Sequence, residues 1–161
     1  MSWWILPTTA DIGIRAFSSS AEGAIAECAF GLQSIQISDK SLDSLNHLIR
    51  STGVWVIPLK NNDLERGLVK FLEEVLYRGS IENEWLVDLV VKIDEDSIAA
   101  QVSWVDSEQV EREIEVKAIT LHELILRQIS HKEIVSGVDS NIPTFEAVSY
   151  THLTLPTICS V

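Results

Sequence analysis

The residues of this sequence best suited to chemistry fall in two short stretches. Asp11 heads an alternating run, Asp11-Ile12-Gly13-Ile14-Arg15-Ala16-Phe17-Ser18, and Lys117, His122 and Glu123 share the segment Lys117-Ala118-Ile119-Thr120-Leu121-His122-Glu123. A carboxylate can hold a divalent cation, a lysine or glutamate can contact a nucleotide or a protein surface, and a histidine can move a proton near neutral pH. A plainer role stands beside each. An aspartate ahead of a strand commonly serves as a turn or cap residue. Lys117 can simply balance Glu113 and Glu115. His122 has neither a Ser or Cys nucleophile nor a His/Cys metal set beside it, so packing or a surface hydrogen bond weighs as much as catalysis.

Other chemistries lack their motifs. There is no Walker loop, dinucleotide fingerprint, nucleophile elbow or zinc-ligand spacing. Asp94-Glu95-Asp96 lacks the glycine and spacing of a calcium loop and reads as a hairpin turn. The alternation of Glu111, Glu113 and Glu115 reads as the solvated face of a strand, with docking on a basic surface as the alternative. The net charge is −12 and the pI about 4.6. Phosphate binding depends on Lys and Arg, so RNA or DNA is not expected to be gripped directly. A basic protein partner suits this charge, as does solubility alone. Cys28 and Cys159 form no disulfide framework, and a reducing cytoplasm is the expected compartment. No signal peptide and no membrane-spanning run are read.

The elements that must position these residues follow from periodicity. Asp11 to Ser18 alternates as a strand. Ser18-Ser19-Ser20 can cap a helix from Ala21 to Ile35, with Ile25, Cys28, Ala29 and Leu32 on one face and Gly31 permitting close packing. Ser38 to Arg50 is polar and partly helical. Thr52 to Leu59 reads as a strand. Asn62 and Glu65 have capping-box spacing ahead of a helix over Asp63 to Tyr77, striped by Leu64, Leu68, Phe71, Leu72 and Val75. Trp85 to Ile93 and Ile98 to Trp104 form a hairpin. Val110 to Leu121 is a third strand that Leu124 to Ile129 extends, and Ser136 to Pro143 is a loop. The fold class is α+β: a single domain, a mainly antiparallel sheet packed against two amphipathic helices.

The stretch after Ala147 has a separate reading. Val148-Ser149-Tyr150-Thr151-His152-Leu153-Thr154-Leu155-Pro156-Thr157 resembles a translated transposase adapter used in short-read sequencing libraries. The adapter's constant bases encode these residues in order. Its next base, A, opens the codon of Ile158, a variable index fills the codons through Ser160, and GTG-TAG gives Val161 and a stop. The expectation is a domain over residues 1–147 and a non-native tail over 148–161. On this reading His152 and Cys159 carry no functional argument.

Three motifs, in order, resemble the archease family. Thr9-Ala10-Asp11-Ile12 is similar to its first signature, Asp63-Leu64-Glu65 to its helix motif, and Lys117-Ala118-Ile119-Thr120-Leu121-His122 to its strand motif. The resemblance extends over most of Trp4 to about Leu126. Departures are Thr8 in place of a His, Phe71 in place of a frequent Trp, and Leu121 in place of a Tyr. Archeases also end in a strand that finishes with Asp-Ile or Asp-Val; Phe145-Glu146-Ala147 looks like the start of that strand, and no Asp follows it. The resemblance implies an archease-like fold and an accessory protein, not an enzyme. Its activity would be to promote guanylylation of an RtcB-type tRNA-splicing RNA ligase and to support that ligase's multiple turnover. It implies GTP and Mn²⁺ used by the ligase, contact with RNA only through the ligase, and a divalent cation (Ca²⁺, Mg²⁺ or Mn²⁺) held by Asp11 together with the terminal aspartate. It makes Lys117, His122 and Glu123 contacts to the partner or its nucleotide. The alternative is a chaperone or specificity modulator of a tRNA-modifying enzyme such as a methyltransferase.

Overall fold

A computed structural model describes residues 3–6, 11–129 and 144–154. The expected loop over Ser136 to Pro143 lies outside these residues, as do Thr9 and Ala10 of the first motif and the tail from Leu155 onward. Ten principal elements follow in order: β1 (Trp3–Leu6), β2 (Asp11–Ser18), α1 (Ala21–Gln36), α2 (Asp39–Ser44), β3 (Ser51–Pro58), α3 (Leu64–Ser80), β4 (Glu84–Ile93), β5 (Ser97–Asp106), β6 (Glu115–Ile129) and β7 (Thr144–Thr154). The strands make two antiparallel sheets, β1-β2-β7-β6 and β3-β5-β4, and the α+β class is as expected.

Each long helix is specified locally and then buried on one side. Ser20 caps α1 by accepting from the Gly23 amide at 3.0 Å. Its apolar face, with Ala24, Ile25, Cys28, Ala29 and Leu32 fully buried, meets the first sheet through Ile14 and Ala16. A Cβ at Gly31 would lie 2.9 Å from Ile14 Cγ2 and 3.2 Å from a Trp3 ring carbon, so only glycine lets α1 approach this closely. Leu68, Phe71, Leu72 and Val75 of α3 are buried in the same core with Trp55, Ile98 and Ala100 of the second sheet. The core is thus continuous between the sheets, and the two helices help fill it.

Two expectations about element ends need correction. The cap of α3 is Asp63, not Asn62: its carboxylate accepts from the Arg66 amide at 3.2 Å. Asn61 and Asn62 instead take left-handed conformations, with φ of 55° and 52°, and turn the chain into the helix. Glu111 and Glu113 are not part of a strand. β6 begins at Glu115, and the amides of Glu113 and Ile114 donate to the Gln36 carbonyl at 2.8 and 3.3 Å, tying this approach to the end of α1.

Arg78 fastens the far end of α3. Its guanidinium donates to Glu74 at 2.8 Å and to Glu84 of β4 at 3.3 Å, and lies 5.4 Å from the centroid of the Trp55 ring. Cys28, by contrast, is held by burial. That burial, with a smaller contribution from Glu27, pushes its thiol up to about 12. Cys28 is therefore expected to resist a thiol-exchange reagent at pH 8 in the folded chain and to react once denaturant opens the core. Rapid native labelling at Cys28, read by mass spectrometry, would contradict its placement. The sign follows from the raised value: the stability this neutral thiol contributes is whole below its unfolded value of 9.0 and falls as pH rises towards 12.

Candidate functional site

The topology brings the heads of the two chemistry-bearing stretches, Asp11 and Lys117, to one end of the first sheet. β7 lies between β2 and β6 and pairs with both. The register sets Asp11 opposite His152, and His152 opposite Ala118. Asp11 and Ala118 thus flank one strand in a single row, roughly 10 Å apart at ordinary strand spacing. Sequence separation hides this neighbourhood.

β6 departs from regular pairing where its motif falls. Val116 opposes Leu153 and Ala118 opposes His152, so Lys117 is the extra residue of a bulge. Thr120 opposes Tyr150 and Ile125 opposes Val148, which leaves Leu121, His122, Glu123 and Leu124 against Ser149 alone. Irregularities of this kind re-aim side chains and are frequent beside functional sites. Lys117, His122 and Glu123 thus all stand in breaks of the ladder, with Lys117 adjacent to the row of Asp11.

A cleft of about 450 Å³ opens between α3 and β6, lined among the described residues by Arg66, Val69, Lys70, Glu73 and Ile119. Ile119 is next to Ala118, so the cleft adjoins the same end of the sheet. Arg66 and Lys70 project one helical turn apart; Arg66 also lies 3.5 Å from Asp63, with both side chains well exposed. Sequence reasoning misses this pair. Its signal is two basic residues at i and i+4 in a strongly acidic chain. Such a rim can receive a carboxylate or phosphate.

The described residues do not complete the hard-cation site that the resemblance implies. Such an ion takes six or more oxygen ligands, carboxylates foremost. The strand position opposite Asp11 is His152, and no Asp or Glu follows Glu146 in the sequence. β7 itself runs unbroken across Ala147 and Val148, because ladder hydrogen bonds come from the backbone whatever the side chains. Among the described residues Asp11 is the one carboxylate of its row, which leaves such a site incomplete.

Among the described residues no helix is long and apolar enough to cross a membrane. The sequence profile of the Archease protein family matches residues 3–138, a span that stops short of β7. The chain is 30% identical over 133 residues to "Protein archease" of Pyrococcus furiosus, covering 79% of this chain and 89% of that protein. It is 31% identical over 134 residues to "Protein archease" of Saccharolobus islandicus strain M.14.25, covering 81% and 91%. The solution structure of Protein 1598 from Methanobacterium thermoautotrophicum superposes with a TM-score of 0.60 at 16% identity, over 94% of this chain and 98% of that one, and so shares its fold. With its motifs in order, its fold matched and its relatives covered nearly end to end, the chain belongs to the archease family.

Proposed function

We propose that this protein is an accessory factor for an RtcB-type RNA ligase, promoting guanylylation of the ligase with GTP and its return to activity after each round. Family membership supports an auxiliary role. The observation that carries the reading further is the convergence of Asp11 and Lys117 across β7, with His122 and Glu123 in the neighbouring irregularity. Asp11 and Lys117 stand at one end of the sheet, where a cleft lined by Arg66, Lys70 and Glu73 also opens. A surface of that kind suits contact with a partner protein or with the nucleotide the partner holds. RNA is reached through the ligase, in keeping with a chain of net charge −12.

The experiment is a guanylylation assay on a cognate ligase with GTP, Mn²⁺ and excess RNA substrate. The archease, tested as it stands and with His152→Asp, is expected to raise the yield of joined RNA per ligase, the variant more strongly. Lys117→Ala in the variant should reduce the stimulation without loss of folding. The protein alone should transfer no nucleotide. A ligase that turns over equally fast without either protein would overturn the proposal.

A further inference from the structure

We propose that β3 is a self-association edge, through which two copies of this chain pair antiparallel about a two-fold axis into one six-stranded sheet. The sheet β3-β5-β4 has two outer edges, and they are built differently. β4 carries Glu84, Asp88 and Lys92, and its register shifts between Leu86 and Asp88. Helix α1 also reaches it, with Gln33 Nε2 donating to the Leu86 carbonyl at 3.2 Å. Charges, irregular pairing and a covering element are the devices that keep a sheet edge from recruiting another strand.

β3 has none of these. Its eight residues, Ser-Thr-Gly-Val-Trp-Val-Ile-Pro, include no charge. It pairs with β5 at every position without a register shift, and among the described residues no strand pairs with its other side. Val54 and Val56 stand 61% and 62% exposed on its outer face. Val90, on β4, lies in the same row as Val54 through Gln101 and is 67% exposed. A straight, uncharged, apolar edge is a template for strand addition.

The occupant follows from charge and symmetry. An antiparallel edge is complementary to itself, so a copy turned by a two-fold axis meets each free N–H with a C=O. A basic partner drawn by the acidic surface would gain nothing at a strand without charge. For two chains of net charge −12, by contrast, a neutral strand is where close approach costs least. The flanking residues choose the register. Centring the pair on Trp55 would set Arg50 against Lys60 of the other copy. Centring it on Val54 sets Val54 against Val54 and Thr52 against Val56, and avoids that repulsion. Pro58, which has no N–H, then falls at the end of the new ladder.

Sedimentation of the full chain over a concentration series tests this. The expected species is a dimer of the 18.0 kDa chain, tighter at high salt because screening relieves the repulsion of like-charged copies. Val54→Lys with Val56→Lys, both at exposed positions, should weaken the dimer at least about tenfold by placing like charges across the new pair. Val90→Lys, on the guarded edge strand, should leave it unchanged. Hydrogen exchange at Ser51 to Ile57 in the unmodified chain should slow as concentration rises, a readout that stands even if the double variant folds poorly. A monomer at every concentration, or a dimer indifferent to the double variant with no slowing in β3, would overturn the proposal. So would a dimer broken by Val90→Lys alone.

Discussion

His152→Asp is expected to raise the affinity of this chain for Ca²⁺ or Mn²⁺ by at least tenfold, about 1.4 kcal/mol. The register sets position 152 directly opposite Asp11, where facing Cβ atoms lie about 5 Å apart. Two carboxylates at that separation can share a cation, and each adds oxygen ligands and negative charge that a hard ion requires. In the present chain the β7 residue opposite Asp11 is His152, and among the described residues of β7 no carboxylate faces Asp11. Titration calorimetry on the chain and the variant decides the matter. Adding Asp11→Ala to the variant should return affinity to the starting level and, in the ligase assay, bring the stimulation back to that of the unmodified chain or below it. A variant no better than the present chain would show that the cation site of this protein is not at the β2–β7 row.

Phe71→Ala is expected to cost about 3–5 kcal/mol of folding stability. Phe71 is fully buried at the middle of α3, in the core that joins both sheets. Truncation removes a whole ring and leaves a void that its packed neighbours can only partly fill. The loss is a large fraction of a typical domain stability of roughly 5–15 kcal/mol. It corresponds to a fall in melting temperature of about 6–20 °C for a chain of this size. Urea unfolding should show a lower midpoint with little change in slope. Phe71→Trp bears on the same site from the other direction. Although the archease resemblance places a frequent Trp here, the closed packing predicts overpacking by about 1–3 kcal/mol. A loss below about 1 kcal/mol for Phe71→Ala would mean that α3 is not packed as described.

The helices and the β4–β5 hairpin were legible in the sequence because their signals are local. Phe71, Leu72 and Val75 repeat at helical spacing, and Trp85 to Ile93 alternates up to a polar turn. The entry to α3 was less legible, since Asn62 and Asp63 both offer a capping oxygen and only backbone conformation distinguishes them. The acidic alternation at Glu111, Glu113 and Glu115 imitates a strand, but the amides of Glu113 and Ile114 are drawn to the end of α1 instead. The candidate site was legible in its residue types and not in its geometry. Asp11 and Lys117 are separated by most of the chain, and what joins them is β7, whose pairing leaves no periodic mark on either. Arg66 and Lys70 look like ordinary surface charge in the sequence; the cleft at Ile119 gives them a setting.

The strand order of the first sheet also governs when it can form. β1 and β2 are made early, yet β2 must wait for β7, more than a hundred residues later, before its second edge is paired. At synthesis rates of roughly 5–20 residues per second, that wait is on the order of ten seconds. The hairpin β4–β5 and helix α3 need only near neighbours and can settle during it, whereas contacts between distant segments form slowly. Throughout that interval the apolar face of α1 has only an incomplete sheet to rest on. The nascent chain is then most exposed to aggregation, and a ribosome-associated chaperone would meet it with β2 still open on one side.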